Sequence, residues 1–237
     1  VQVYIGENLG SPGERVLKGT VSELAENPCA DLAVMLVLNP NSVNPFEPVR
    51  DEMLTRAKVP MTKEEVRWVS VARLGVQPGD TVWDIGAGTG AVTFELARKA
   101  MDGAVFAVER NTEAIELITQ NRQKLGGFNV HIVPGHAPEV LADLPKPNCV
   151  FVGGSGGNMR KIIEIALTKN PKTRIVVNAI ALETLQETQR LFAEFGLQQV
   201  EITQLSAARG KSIGCYTMMT ANNPVFILSG KGAKYGE

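Results

Sequence analysis

From Thr62 onward the chain alternates short, continuous apolar runs with amphipathic stretches, and this pattern constrains the fold more than any single motif. The runs TVWDIG, AVFAVE, VHIV, CVFVGG and TRIVVNAI are separated by VTFELARKA, TEAIELITQNRQKLG, PEVLADL and NMRKIIEIALTKN, and LETLQETQRLFAEFG follows the last. A strand that is apolar on both faces has to be covered on both faces, and parallel neighbours need a crossover, usually a helix. Five such strands with intervening helices predict a doubly wound, Rossmann-like α/β sheet. The ending breaks the pattern. QVEITQL and CYTMMTANNPVFILS are strand-like with no helical stretch between them, so a terminal antiparallel pair is expected beside the five parallel strands.

Ahead of the first strand, MTKEEVRWVSVARLGV has a helical pattern opened by Thr62, with Glu65 three positions later as a capping-box partner. Residues 40–60 carry prolines at 40, 45, 48 and 60, a density that forbids a long helix or central strand, and they are expected to be a linker or extended arm. Before them lie a strand (QVYI), a polar helix-like stretch from Glu14 to Glu26, and a strand DLAVMLVL. That is about one βαβ-sized unit, too small to stand alone. The expected organisation is a domain remnant over 1–39, a linker over 40–60 and the α/β domain over 61–237.

Composition narrows the function classes. The 237 residues carry a formal net charge of −1, so nothing global selects nucleic acid or a membrane surface as partner. AVMLVL is too short to span a bilayer, and VQVYIGENLG does not read as a secretory leader. Three dispersed cysteines (Cys29, Cys149, Cys215) without CxxC pairing fit a reducing cytoplasm. His131 and His136 have no ligand partners at metal spacing, so no metal site is expected.

The chemistry concentrates in TVWDIGAGTGAV. Gly86 and Gly88 allow a tight turn with close backbone approach, and Gly90 lets the next helix pack near the strand. Two ligands suit such a loop. With Ala91, Gly86 and Gly88 satisfy the permissive GxGxxA form of a nicotinamide fingerprint. Alternatively, Asp84 at the strand end would repel a pyrophosphate but suits S-adenosylmethionine, which carries an ammonium and a sulfonium. Glu109, at the end of AVFAVE, can accept ribose hydroxyls of either ligand, and Ala137 in GHAPEVL can offer its amide to an adenine edge. Asp84 and the terminal strand pair favour S-adenosylmethionine.

With these residues in view, MTKEEVRWVSVARLGVQPGDTVWDIGAGTG, AVERNTEAIELI, GHAPEVL, VFVGGSGGNMRKII, NAIALETL and TMMTANNPVFILSG resemble the CbiT-type family. These are decarboxylating methyltransferases acting on C15 of precorrin-6Y or its cobalt form. VYIGENLGSPGERVLKGTVSELAE looks like the closing part of a tetrapyrrole methylase, so the chain is similar to the C-terminal portion of a fused precorrin-6Y C5,15-methyltransferase. The resemblance implies methyl transfer from S-adenosylmethionine with loss of CO2 from the C12 acetate, in cobalamin biosynthesis. It implies cofactor contacts at Thr62, Asp84, Gly86, Ala87, Gly88, Thr89, Gly90, Glu109 and Ala137, a corrinoid substrate, and a homo-tetramer. GHAPE departs from a common methyltransferase pattern by placing His136 where an acid often stands, and no role is given to that histidine. Ala181 stands where relatives often have threonine.

A substrate with many carboxylates calls for donors at the ligand end of the sheet. Ser155 in GGSGG, Arg160 after it, Asn178 at the end of the fifth strand, and Arg209 with Lys211 in AARGKSIG, expected as a loop between the terminal strands, are the candidates. No residue stands out as an obligatory general base. A methyltransferase acting on tRNA or protein carboxylates, or a nicotinamide-binding protein, would share the glycine loop. The absence of a basic stripe weighs against an RNA substrate.

Overall fold

The computed structural model describes residues 1–39 and 47–233, and the chain divides into two compact units, Val1–Asn44 and Pro45–Glu237. In the first unit, β1 (Gln2–Glu7) lies between β2 (Arg15–Thr20) and β3 (Ala33–Leu38), antiparallel to both. The first half of the polar stretch expected as a helix from Glu14 to Glu26 is β2. Its side chains alternate beside β1, and only α1 (Val21–Leu24) is helical. Thr20 caps that turn, with Glu23 bonding back to the Thr20 backbone. Glu7 is buried and accepts from Arg15 at 2.6 Å and from the Ala30 amide at 3.1 Å. The Arg15 guanidinium holds its carboxyl below the usual range.

The second unit begins with a short 3-10 helix (Asp51–Met53) and α2 (Glu64–Leu74). There follow β4 (Thr81–Ile85), α3 (Ala91–Lys99), β5 (Ala104–Glu109), α4 (Thr112–Leu125), β6 (Val130–Pro134) and a second 3-10 helix (Glu139–Ala142). β7 (Cys149–Val152), α5 (Met159–Lys169), β8 (Arg174–Ala179) and α6 (Leu182–Glu194) complete the alternation. β9 (Gln198–Leu205), β10 (Ala208–Ile213), β11 (Tyr216–Ala221) and β12 (Val225–Lys231) close the chain. The main sheet has the order β6-β5-β4-β7-β8-β12-β9. β4 to β8 pair in parallel, and β12 runs antiparallel to both β8 and β9. The five parallel strands and the terminal antiparallel pair are those expected from the sequence.

Strand alternation builds two cores. Val82, Val105, Phe151 and Val176 face α2, α3 and α4 through residues such as Leu74, Phe94 and Ile118. Trp83, Ile85, Val150 and Val177 face the opposite way, onto Leu141, Met159, Ile162 and Phe192.

Three expectations are corrected in this unit. The connection between the terminal strands is not a loop, because AARGKSIG and CYTMMTA fold as the separate hairpin β10–β11. Residues 47–60, expected as linker, are docked on the α/β unit, whereas Pro40 and Pro45 lie outside the described residues. Val49 is fully buried, its amide donating to Glu95 at 2.8 Å, and Asn121 exchanges two bonds with the Thr55 backbone. Arg67, also fully buried, donates to the carbonyls of Val49 and Thr62 and to Asp51. Thr62, finally, does not cap α2. The helix starts two residues later after Lys63, and Glu65 is held by Arg209 instead of reaching back to the chain.

Candidate active site

A cavity of about 1000 Å³ opens beyond the carboxyl ends of the parallel strands, where ligands of doubly wound sheets bind. Its floor is the turn after β4. Gly86 and Gly90 adopt φ of +73° and +78°, the left-handed region that a side chain makes costly. Space forbids one as well. A Cβ on Gly86 would lie 2.7 Å from the carbonyl oxygen of Gly154, and one on Gly90 would lie 2.8 Å from the Phe94 ring. The glycine loop after β4 and the GGSGG loop after β7 therefore cross backbone to backbone. The amides of Gly153 and Gly154 donate to the Ile85 carbonyl.

Asp84 lines this floor and is fully buried. Its Oδ2 accepts from the Thr93 hydroxyl at 2.5 Å, while Oδ1 is buried without a partner. Burial pushes its pKa up to about 7. The Thr93 bond acts against that rise and the nearby Glu109 charge adds to it. Thr89, 1% exposed, likewise leaves its hydroxyl without a partner. Two orphaned buried oxygens in one cavity wall are costly unless a ligand completes them.

Glu109 ends β5 and ties the site together. One carboxylate oxygen accepts from the Gly88 amide at 2.8 Å, and the other from the Arg110 and Asn111 amides at 2.8 and 2.9 Å. A carboxylate has further lone pairs for ribose hydroxyls, so this grip does not exhaust it. Asn111 caps α4 through the Ala114 amide. Ala137 is in the wall opposite, its carbonyl accepting from Asn158 at 3.3 Å.

Of the residues singled out from the sequence, Thr62, Asp84, Gly86, Ala87, Gly88, Thr89, Glu109, Ala137, Ser155 and Asn178 all line the cavity. Gly90 does not, and its part is the close packing of α3 on β4. Arg160 and Arg209 are corrected as substrate contacts. Arg160 makes a two-pronged pair with Glu194 at 2.7 and 2.6 Å and lies over the Phe195 ring. Arg209 is held by Glu65 at 2.6 and 2.8 Å, by Asp51 at 3.1 Å and by Glu64 at 3.1 Å, which raises its pKa further. Neither lines the cavity.

Sequence reasoning missed Lys58, Lys63, Arg110, Asn222 and Asn223, which also line it. The 58–60 stretch was expected to be linker, yet the Pro60 carbonyl closes over Gly88. Asn222 and Asn223 were legible in principle. An antiparallel strand starts where its parallel neighbours end, so the residues entering β12 reach the ligand end of the sheet. His136, given no role, stands in the wall with Nδ1 3.0 Å from Glu139 and Nε2 against Gly156.

Known proteins resemble this chain in sequence and fold. A model of the precorrin methyltransferase domain matches residues 55–231. The probable cobalt-precorrin-6B C(15)-methyltransferase (decarboxylating) of Pyrobaculum calidifontis is 42% identical over 184 residues, covering 76% of this chain and 94% of that one. The crystal structure of precorrin-6Y C5,15-methyltransferase from Geobacter metallireducens superposes with a TM-score of 0.73 at 36% identity, covering 78% of this chain and 96% of that one. An S-adenosylmethionine-dependent O-methyltransferase from Thermotoga maritima, 18% identical with a TM-score of 0.66 over 100% of this chain and 94% of its own, shares the fold alone. A class I methyltransferase sheet and a family match that spans the whole glycine-lined cleft lead to one conclusion: the chain belongs to the precorrin methyltransferase family.

Proposed function

We propose that this protein methylates C15 of precorrin-6Y, or of its cobalt form, using S-adenosylmethionine, and removes the C12 acetate carboxyl as CO2, in cobalamin biosynthesis. The observation that carries the cofactor is the pair of buried, partnerless oxygens on Asp84 and Thr89 beside the Gly86–Gly88 turn. Their chemistry fits the group: a carboxylate for its ammonium, Glu109 for its ribose, and the Ala137 turn for its adenine. The substrate follows from the relatives named above.

When bound, S-adenosylmethionine supplies an electrophilic methyl on sulfur. The protein's own part is alignment. Glu109 holds the glycine loop, the 58–62 segment covers it, and the GGSGG loop brings backbone rather than side chain against the acceptor. Proximity and orientation of this kind contribute on the order of 7–11 kcal/mol. The conjugated acceptor ring is itself an electron sink for CO2 loss, so no protein group has to serve as one.

The first unit is proposed as the closing part of a tetrapyrrole methylase module, on the strength of VYIGENLGSPGERVLKGTVSELAE. A cytoplasmic location and a tetrameric assembly belong to the same proposal. The three cysteines are free, and no described helix is long and apolar enough to cross a membrane. The hairpin β10–β11 exposes Ile213, Tyr216, Met218 and Met219, an apolar patch of the sort that marks contacts between copies.

The test is incubation with precorrin-6Y, or its C5-methylated form, and labelled S-adenosylmethionine, followed by mass spectrometry. The expected product is heavier by one methyl and lighter by one CO2. An unchanged substrate, with S-adenosylhomocysteine binding confirmed by calorimetry, would remove the substrate assignment and leave the cofactor standing.

A further inference from the structure

The strand ends that line the cavity differ in charge. β4, β5 and the start of α4 contribute Asp84, Glu109, Arg110 and Glu113, and the segment before α2 contributes Lys58 and Lys63. The ends of β8 and β12 contribute no charge: Asn178 closes β8, Ile180, Ala181 and Thr184 follow it, and Asn222 and Asn223 lead into β12. Register places the three carboxamides at one end of the sheet. Asn178 pairs with Ile227 and Ala179 with Phe226, so the residues before Val225 emerge beside the end of β8. Two strand spacings, about 9–10 Å, separate that end from the end of β4. The Asn178 amide is poorly satisfied. Asn178 Oδ1 lies 2.9 Å from the Ser70 hydroxyl, whose single proton it shares with the Val66 carbonyl, and Nδ2 is buried without a partner. Among the described residues, no side-chain bond engages Asn222 or Asn223.

We infer that Asn178, Asn222 and Asn223 form an uncharged pocket for the carboxylate that leaves as CO2, an assignment that rests on the function proposed above. In that step the bond between the carboxyl carbon and its methylene breaks. The electron pair stays with the methylene and spreads into the conjugated ring, CO2 departs, and a proton from water returns to the methylene. The carboxylate's negative charge disperses on the way to the transition state. A fixed lysine or arginine would stabilise the starting carboxylate more than the transition state and slow the step. Amide donors orient the group by hydrogen bonds without that penalty.

The test compares Asn223→Lys and Asn178→Asp with the wild-type chain of residues 1–237. Readouts are product mass, substrate KM, substrate binding in the presence of S-adenosylhomocysteine, and S-adenosylhomocysteine binding by calorimetry. Asn223 is exposed, so the lysine variant should fold, and unchanged S-adenosylhomocysteine affinity checks this. Asn223→Lys is expected to bind substrate at least as well as wild type but to accumulate the methylated product that still carries its carboxyl. Its CO2 loss should slow by about tenfold or more, the size of one charge-assisted contact. Asn178→Asp sets a like charge beside the leaving group and should raise substrate KM about tenfold or more with cofactor affinity kept. If both variants give fully decarboxylated product at wild-type rates and KM, the pocket is overturned while the proposed function stands. If the wild type itself neither methylates nor decarboxylates, both fall.

Discussion

Asp84 is the residue whose environment makes the sharpest demand. Its pKa is raised to about 7 from an unfolded value near 3.9, so the folded protein without ligand binds a proton that the unfolded chain has released. The stability from that proton is fully present below the unfolded value and is lost as pH rises through about 7, after which it is flat. Cofactor binding should run the other way, because an ammonium needs the ionised carboxylate. Affinity for S-adenosylhomocysteine should rise with pH, by up to about tenfold per unit, and level off above pH 7. Asp84→Asn should bind weakly and without that slope. Calorimetry between pH 5.5 and 8 measures both, and a flat wild-type profile would separate Asp84 from the ammonium. Gly86→Ala meets a different obstacle, a backbone 2.7 Å away and a φ of +73°. It should reduce S-adenosylhomocysteine affinity by more than about a hundredfold, since the turn has to open to admit a methyl.

At the scale of elements, α2 clamps the segment before it through Arg67. That guanidinium has no exposure and serves two carbonyls, Asp51 and, more distantly, Glu95. Arg67→Leu leaves these groups buried without their cation, and chemical denaturation should show a loss of about 3–5 kcal/mol. Cofactor affinity should fall with it, because the 58–62 segment over Gly88 loses its anchor. Arg209 joins the hairpin β10–β11 to α2 and to Asp51. At 38% side-chain exposure this network is partly screened, so Arg209→Ala should cost only about 1 kcal/mol and leave substrate KM unchanged. A large rise in KM would return Arg209 to the substrate site. The hairpin was hidden in the sequence because β10, ARGKSI, is polar and exposed almost throughout, so no apolar run or alternation marks it as a strand.

For the whole molecule, the division into units has a direct consequence. Residues 45–237 expressed alone should bind S-adenosylhomocysteine with the affinity of the full chain. Removing residues 45–60 as well should weaken binding markedly and lower Tm, since Val49 and Thr55 are built into the α/β unit. Equal affinity in both truncations would make the docked segment dispensable. Local composition pointed the wrong way here. Proline density reports that a stretch is neither helix nor strand, but says nothing about whether its backbone finds partners elsewhere, as Val49 does on Glu95 of α3 and Thr55 does on Asn121.

By itself the sequence determined the alternation of strands and helices, the antiparallel ending, and the acid-and-glycine turn with Glu109, because these depend on side-chain periodicity and on residues whose conformational or charge properties act locally. Which charges are free to meet a ligand depends on how distant segments pack. Arg160, Arg209 and Lys63 look alike along the chain, yet carboxylates brought from 34 and 144 residues away occupy the first two, and Lys63 is left facing the cavity. Likewise, the backbone that leaves no room for a side chain on Gly86 is that of Gly154, and Asn178 acquires its place from Ser70, a hundred and eight residues earlier. Such pairings arise from packing between distant segments, and no local pattern encodes them.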